Sequence, residues 1–343
     1  MAVAELVAPR RFQLTARELP PPAPGEVQVR VDAVGICGSD LHYFSEGHIG
    51  ASQARYPMVL GHEPCGTVLK AGAGVSGWNA GDRVALEPPV YCYHCEFCLS
   101  GRHNLCDRAR FFSSPQDPGF FRARVNLPAL NLLPLPRHVG SVEATIWEPV
   151  SIVLHSFVFA QPKLGENAVV FGAGPIGLTT IAALKLAGLR RIWCVEPLAH
   201  RREIALALGA GEVLDPAQDP VAEILRATGQ RGVDLTIDCA AKGDSINQAI
   251  GMTRKAGRLV VTGIPSELRV PVEFHAMRNR ELGFFTVKRA NHTGRAALDL
   301  LAEHSSRFAP MITHRLPMSG IQRAFETLES YAEDVGKIVI LPE

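Results

Sequence analysis

The chain changes its hydrophobic rhythm twice, near residue 165 and again near residue 288. Before the first change, apolar and polar positions alternate in short runs broken by Gly and Pro. EVQVRVDAVG (Glu26 to Gly35), CGTVLKAG and DRVALEP are such runs, and their period of two predicts strands of a β-rich domain. After residue 165, short apolar runs alternate with helical stretches. AVVF (Ala168 to Phe171) precedes a helix from Pro175 to about Leu186, and IWCV precedes a helix through RREIALALGA. GEVLD, VDLTIDCA and GRLVVTGI (Gly257 to Ile264) continue the alternation, which predicts repeated βαβ units and a parallel sheet. Past Lys288 the character is mixed, with a helix near Gly294 to Glu303 and a last strand GKIVILPE that is expected to rejoin the first domain. The predicted division is therefore 1–150 with 289–343, and 151–288. Two domains also suit 343 residues at about 100–200 per domain.

Charge adds an exclusion. A net charge of +1, with 20% charged residues, favours neither nucleic acid nor an anionic membrane, so a small molecule is the expected partner. The stretch MAVAELVAPRRFQL has no leader-like apolar core, and no apolar run of about 18 residues is expected. A cytoplasmic location follows as an expectation. There disulfides are uncommon, yet four of the eight cysteines crowd into CYHCEFCLSGRHNLC, as Cys92, Cys95, Cys98 and Cys106. Four thiolates complete the tetrahedron of a structural zinc ion and leave no open position. Two disulfides or a redox pair are the competing readings.

Three further clusters carry candidate chemistry. In AVVFGAGPIG, Gly172, Gly174 and Gly177 form G-x-G-x-x-G between a strand and a helix, with Pro175 and Ile176 at the helix start. That context predicts a pyrophosphate on the helix N-terminus. Glu196 ends IWCVE, where a carboxylate bonds ribose hydroxyls and repels a 2′-phosphate, so NAD is predicted over NADP. Arg201 and Arg202 follow; one lies along the adenine, or both form a solvated pair. The first domain holds Cys37, Ser39 and His42 in VGICGSDLHYF and His62 beside Glu63 in GHEPCG, and IWEPVSIVLH supplies Glu148. Thiol, imidazole and carboxylate are zinc donors, and three of them with an open fourth position make a catalytic site.

These segments carry a resemblance. CGSDLHYF, PMVLGHEPCGTV, GDRVALEP, the four-cysteine lobe, EPVSIVLH, VVFGAGPIG and THRLPM stand in the order seen in the zinc-dependent medium-chain dehydrogenases, and the chain is most similar to the polyol branch. The resemblance implies an α/β fold with a GroES-like β-rich catalytic domain and a Rossmann doubly wound parallel-sheet cofactor domain. It implies one catalytic and one structural zinc per chain, with Cys37 and His62 ligating the first, Glu63 in or beside its shell, and Glu148 where alcohol dehydrogenases place a second cysteine. Ser39 and His42 would handle the alcohol proton, and Tyr43 and Phe112, with Phe111, would line the substrate pocket. Where the branch tends to have Arg-Tyr, this chain reads TVKRANH; Lys288 and Arg289 suit either an anionic sugar alcohol or a solvated turn. The implied activity is oxidation of a secondary alcohol of a polyol or sugar-derived substrate by NAD, in a homo-oligomer with a tetramer favoured over a dimer. A threonine- or butanediol-type dehydrogenase and a non-catalytic NAD-binding protein are the alternatives. The presence of Cys37, His62, Glu63 and Glu148 together weighs against the last.

Overall fold

The computed structural model describes residues 1–342, and the chain divides into two compact units, Met1–Ser151 with Asn291–Glu343 and Ile152–Ala290. The first unit is built on a seven-stranded sheet. Its central strand, Glu26–Gly35, buries Val27, Val29, Val31 and Ala33 completely, as its alternation requires. One neighbour is the antiparallel strand Glu63–Ala71, which sets Gly35 opposite Glu63. The other is Lys337–Leu341, which sets Gly35 opposite Val339 and pairs in parallel with Ile312–Pro317 on its far side. A strand from near the end of the chain thus lies inside the sheet, between its central strand and the edge strand Ile312–Pro317. Phe44, Phe120, Phe121 and Phe325 fill the core beneath it, each buried ring contributing about 1.5–3 kcal/mol.

One helical stretch comes near a long apolar run without being one. Ser141–Ala160 is long and apolar enough by length and composition to cross a membrane, but 61% of its most apolar window is buried inside the fold and it carries Glu143 and Glu148. Those are the properties of a core helix.

The second unit is a six-stranded parallel sheet in the order Glu212–Leu214, Arg191–Val195, Asn167–Phe171, Val233–Asp238, Thr253–Val261, Gly283–Thr286. Every residue of Val233–Asp238 is buried, which is what helices on both faces of a parallel sheet produce. The chain runs outward from Asn167–Phe171 on one side and then resumes at Val233–Asp238 on the other. The topological switch of a doubly wound Rossmann fold therefore lies at the C-terminal ends of these two strands.

Candidate functional site

Cys37 stands at the start of the helix Gly38–Ser45, while His62 and Glu63 stand at the start of the strand Glu63–Ala71. One carboxylate ties these segments together. Asp40 is almost fully buried and accepts bonds from Cys37 N (3.1 Å), Gly61 N (3.1 Å), Ser113 Oγ (2.9 Å) and His62 Nδ1 (3.2 Å). Burial alone would raise the Asp40 pKa, but the His62 charge and these donors hold it below the usual carboxylate value. His62 is the reciprocal case: burial would lower its pKa, and Asp40 and Cys37 raise it well above the ordinary imidazole value. The bond to Asp40 keeps the His62 proton on Nδ1 and leaves Nε2 as the donor atom. Ser39 Oγ lies 3.4 Å from that Nε2.

Glu63 is held from the opposite side. Its Oε2 accepts from Nζ of Lys337, which also donates to Ile36 O at 3.3 Å, and the two side chains are 1% and 0% exposed. Only glycine fits at residue 35, because a Cβ there would come within 2.1 Å of Glu63 Oε2 and 2.9 Å of Lys337 Cε. The other oxygen, Oε1, is buried without a hydrogen-bond partner, a costly arrangement unless a cation meets it. Cys37, His62 and Glu63 each offer a donor atom within 4.8 Å of the others. A thiol, an imidazole and an orphaned carboxylate oxygen fit zinc with one position left open. Glu148, the fourth expected ligand, is buried at the start of the helix Trp147–Ala160. Among the described residues its carboxylate is outside this mutually close group. Burial, reinforced by Glu63 and Asp40 against His62 and Lys337, pushes its pKa up to about 7.

The lobe fits a closed site. The four thiols of Cys92, Cys95, Cys98 and Cys106 lie within 4.8 Å of one another, all without a disulfide. Cys92 Sγ is 3.9 Å from Cys98 Sγ and 3.5 Å from Cys106 Sγ. A tetrahedron with Zn–S bonds of about 2.3 Å has edges of roughly 3.8 Å. Bonds from backbone N–H groups, led by that of His94, bring the Cys92 pKa down to about 6, which favours the thiolate that a metal needs.

In the second unit the glycine-rich turn shows why each glycine is there. Gly172 has φ 84°, a Cβ on Gly177 would strike Gly172 O at 1.9 Å, and Gly174 faces open space. That opening lies at the N-terminus of Pro175–Leu186, with Pro175 and Ile176 in its first turn. Glu196 is buried, and its carboxylate accepts from Ala173 N (2.6 Å) and Leu198 N (3.0 Å), which fixes it against the same turn. Arg201 is buried in the helix Ala199–Leu208. Arg202 bonds Glu196 O and Pro197 O at 2.8 Å and Asp215 Oδ2 at 3.2 Å. It is a staple for the strand end rather than a solvated charge.

The remaining expected residues scatter. His42 is partly exposed and its Nδ1 is 3.1 Å from Glu46 Oε1. Tyr43 is a core residue whose hydroxyl lies 2.9 Å from Ser52 Oγ. Phe112 packs on Phe120 with ring centroids 5.0 Å apart, whereas the ring of Phe111 lies 5.5 Å from that of His62. Lys288 is exposed and Arg289 half-buried after Gly283–Thr286. Sequence reasoning missed Asp40, Lys337 and Gly35. The only signals for them were an acid between Ser39 and His42 and a lysine opening an apolar strand.

Comparisons with known proteins place the chain in a family. Residues 23–137 match the alcohol dehydrogenase GroES-like domain, and residues 175–303 match the zinc-binding dehydrogenase domain. Human sorbitol dehydrogenase is 36% identical over 336 residues, covering 97% of this chain and 93% of that protein. Grapevine (Vitis vinifera) L-idonate 5-dehydrogenase is 35% identical over 317 residues, covering 90% and 86%. An Escherichia coli oxidoreductase/dehydrogenase of unknown specificity superposes with a TM-score of 0.93 at 31% identity, over 100% of this chain and 99% of that one.

Proposed function

Because the chain belongs to the zinc-dependent medium-chain dehydrogenases, as an alcohol or polyol dehydrogenase, we propose that it oxidises a secondary alcohol of a polyol or sugar-derived substrate with NAD as hydride acceptor. The observation that carries this is the donor group of half-buried Cys37 with buried His62 and Glu63, and the orphaned Oε1 of Glu63. Zinc bound there would supply Lewis acidity toward an alcohol oxygen. Asp40 orients His62, and Lys337 holds Glu63 with Oε1 available. Ser39, on the Nε2 side of His62, would hydrogen-bond the substrate hydroxyl and relay its proton, releasing its own Oγ proton as it accepts the substrate's. His42, one helical turn on and partly exposed, passes that proton toward water, with Glu46 orienting its ring. Glu148 adds a buried carboxylate beside the group and serves as an alternate acceptor. The four-cysteine lobe would take a second, structural zinc.

The turn at Gly172, Gly174 and Gly177 would seat the pyrophosphate, and the carboxylate of Glu196 favours NAD over NADP. A homo-oligomer, with a tetramer favoured, is proposed; exposed Ile264, Leu268 and Phe274 (52%, 80% and 59%) support self-association. A cytoplasmic location is proposed as well, supported by eight free cysteines.

The test is a substrate panel followed at the NADH absorbance, with neutral polyols, sugar phosphates, threonine and butanediol, alongside zinc analysis. Turnover highest on a polyol or sugar derivative is expected. A preference for threonine or butanediol, or no turnover by zinc-replete protein, would reject the proposal. Sugar phosphates outrunning neutral polyols would assign Lys288 and Arg289 to the substrate.

A further inference from the structure

A cavity lies in the first unit, away from the donor group. Its volume is about 360 Å³, and none of Cys37, His62 or Glu63 lines it. Met1, Val3, Pro57, Val59, Ser114 and Gln116 are among its lining residues, so its surface is part apolar and part polar. Its charged groups are unequal. Glu5 is already engaged by Arg17, whose Nε donates to it at 2.9 Å, and by Thr15 Oγ1 at 3.0 Å. The α-amino group of Met1 donates to Arg17 O at 2.7 Å. Arg122 has no acidic partner among the described residues. Its Nη2 donates to Pro118 O at 3.1 Å, and its Nε is covered and unpartnered. Burial with nothing to offset it lowers the Arg122 pKa to about 10.

Arg122 is half-buried with its Nη2 end at the surface, but its Nε is covered and bonds nothing, and an N–H so placed is costly to keep. The bond to Pro118 O uses one of its five N–H groups, and the only carboxylate lining the cavity is neutralised by Arg17. The local balance is therefore positive, in a concavity within the volume range of small-molecule sites. We propose that this cavity binds a small organic anion whose carboxylate or phosphate group pairs with Arg122 while its apolar part rests on Pro57, Val59 and Pro115. Arg rather than Lys suits this task, because its planar fork meets two anion oxygens together. The site is separate from the reaction centre. Its lining residue Ser114 nevertheless adjoins Ser113, which bonds Asp40, so an occupant would steady the turn that supports His62.

Equilibrium dialysis of the zinc-loaded protein decides the matter, with NADH saturating so that the glycine-rich turn is covered and ionic strength held constant with chloride. The probes are inorganic phosphate and citrate. One saturable equivalent per chain is expected for at least one probe. Arg122→Met should weaken it at least tenfold, and Arg122→Lys should fall between. Gln116→Trp, which fills the cavity from an exposed lining residue and leaves Arg122 in place, should also abolish it and stands in if Arg122→Met does not fold. No saturable binding of either probe to wild type, or binding unchanged in Arg122→Met or Gln116→Trp, would overturn the proposal.

Discussion

Replacing Lys337 by Met tests the centre of the first unit most directly. Lys337 and Glu63 are 0% and 1% exposed, so neither charge has water to fall back on. The pair itself adds little net stability, because desolvation offsets most of its attraction, but removing one partner strands the other at a cost of about 3–5 kcal/mol. For a unit of this size that loss corresponds to a fall in melting temperature of roughly 6–20 °C. Scanning calorimetry on zinc-loaded and chelated protein reads it. Combining Lys337→Met with Glu63→Gln removes both charges and should recover most of the loss, since a neutral amide needs no counter-ion. If Lys337→Met melted within about 2 °C of wild type, or the double variant were no more stable than the single one, Lys337 would not be the counter-charge on which buried Glu63 depends.

Other expectations separate the sites. Cys98→Ser should cost one zinc equivalent and thermal stability while folded protein keeps a near-normal KM for NAD. Cys37→Ser should fold with little loss, also carry one zinc fewer, and turn over very slowly; a stable, inactive Cys98→Ser would reverse the two assignments. Glu196→Ala should narrow the NAD-to-NADP ratio of kcat/KM, each lost interaction being worth on the order of 1–3 kcal/mol, and an unchanged ratio would refute that role. Asp234 gives a pH signature. Burial would raise its pKa, but bonds from Arg231, Asn167 N and Arg254 hold it far below the usual carboxylate value. Its contribution is therefore full above the unfolded value of about 3.9 and is lost as pH falls toward the folded value. Melts of Asp234→Asn against wild type should differ at pH 7 and converge below about pH 4, and a gap independent of pH would contradict the linkage.

What could be read in advance was what lies close along the chain. The glycine turn and the four-cysteine lobe are local, so residue type and spacing carry their geometry. The doubly wound sheet was legible for the same reason, each βα step announcing itself in turn. Glu63 was legible as a donor, but its ion pair spans 274 residues, and nothing in GKIVILPE distinguishes a buried lysine from one at a strand end. Phe111 and Phe112 show a finer limit. The strand Arg110–Phe111 ends between the two rings, and the turn that begins at Phe112 sends it onto Phe120 while Phe111 meets His62, a divergence that the adjacent pair does not reveal in sequence.

The position of Lys337–Leu341 inside the sheet also sets a timetable. Glu63 leaves the ribosome 274 residues ahead of Lys337, an interval of roughly 15–55 s at ordinary elongation rates of about 5–20 residues per second. Throughout it the whole of the second unit is made, while the first lacks the strand that pairs with Val34 and Gly35 and Glu63 lacks the Lys337 cation. The glycine turn can be in place well before that. Completion of the Cys37, His62 and Glu63 group proposed to hold a metal is thus expected among the last steps of the growing chain.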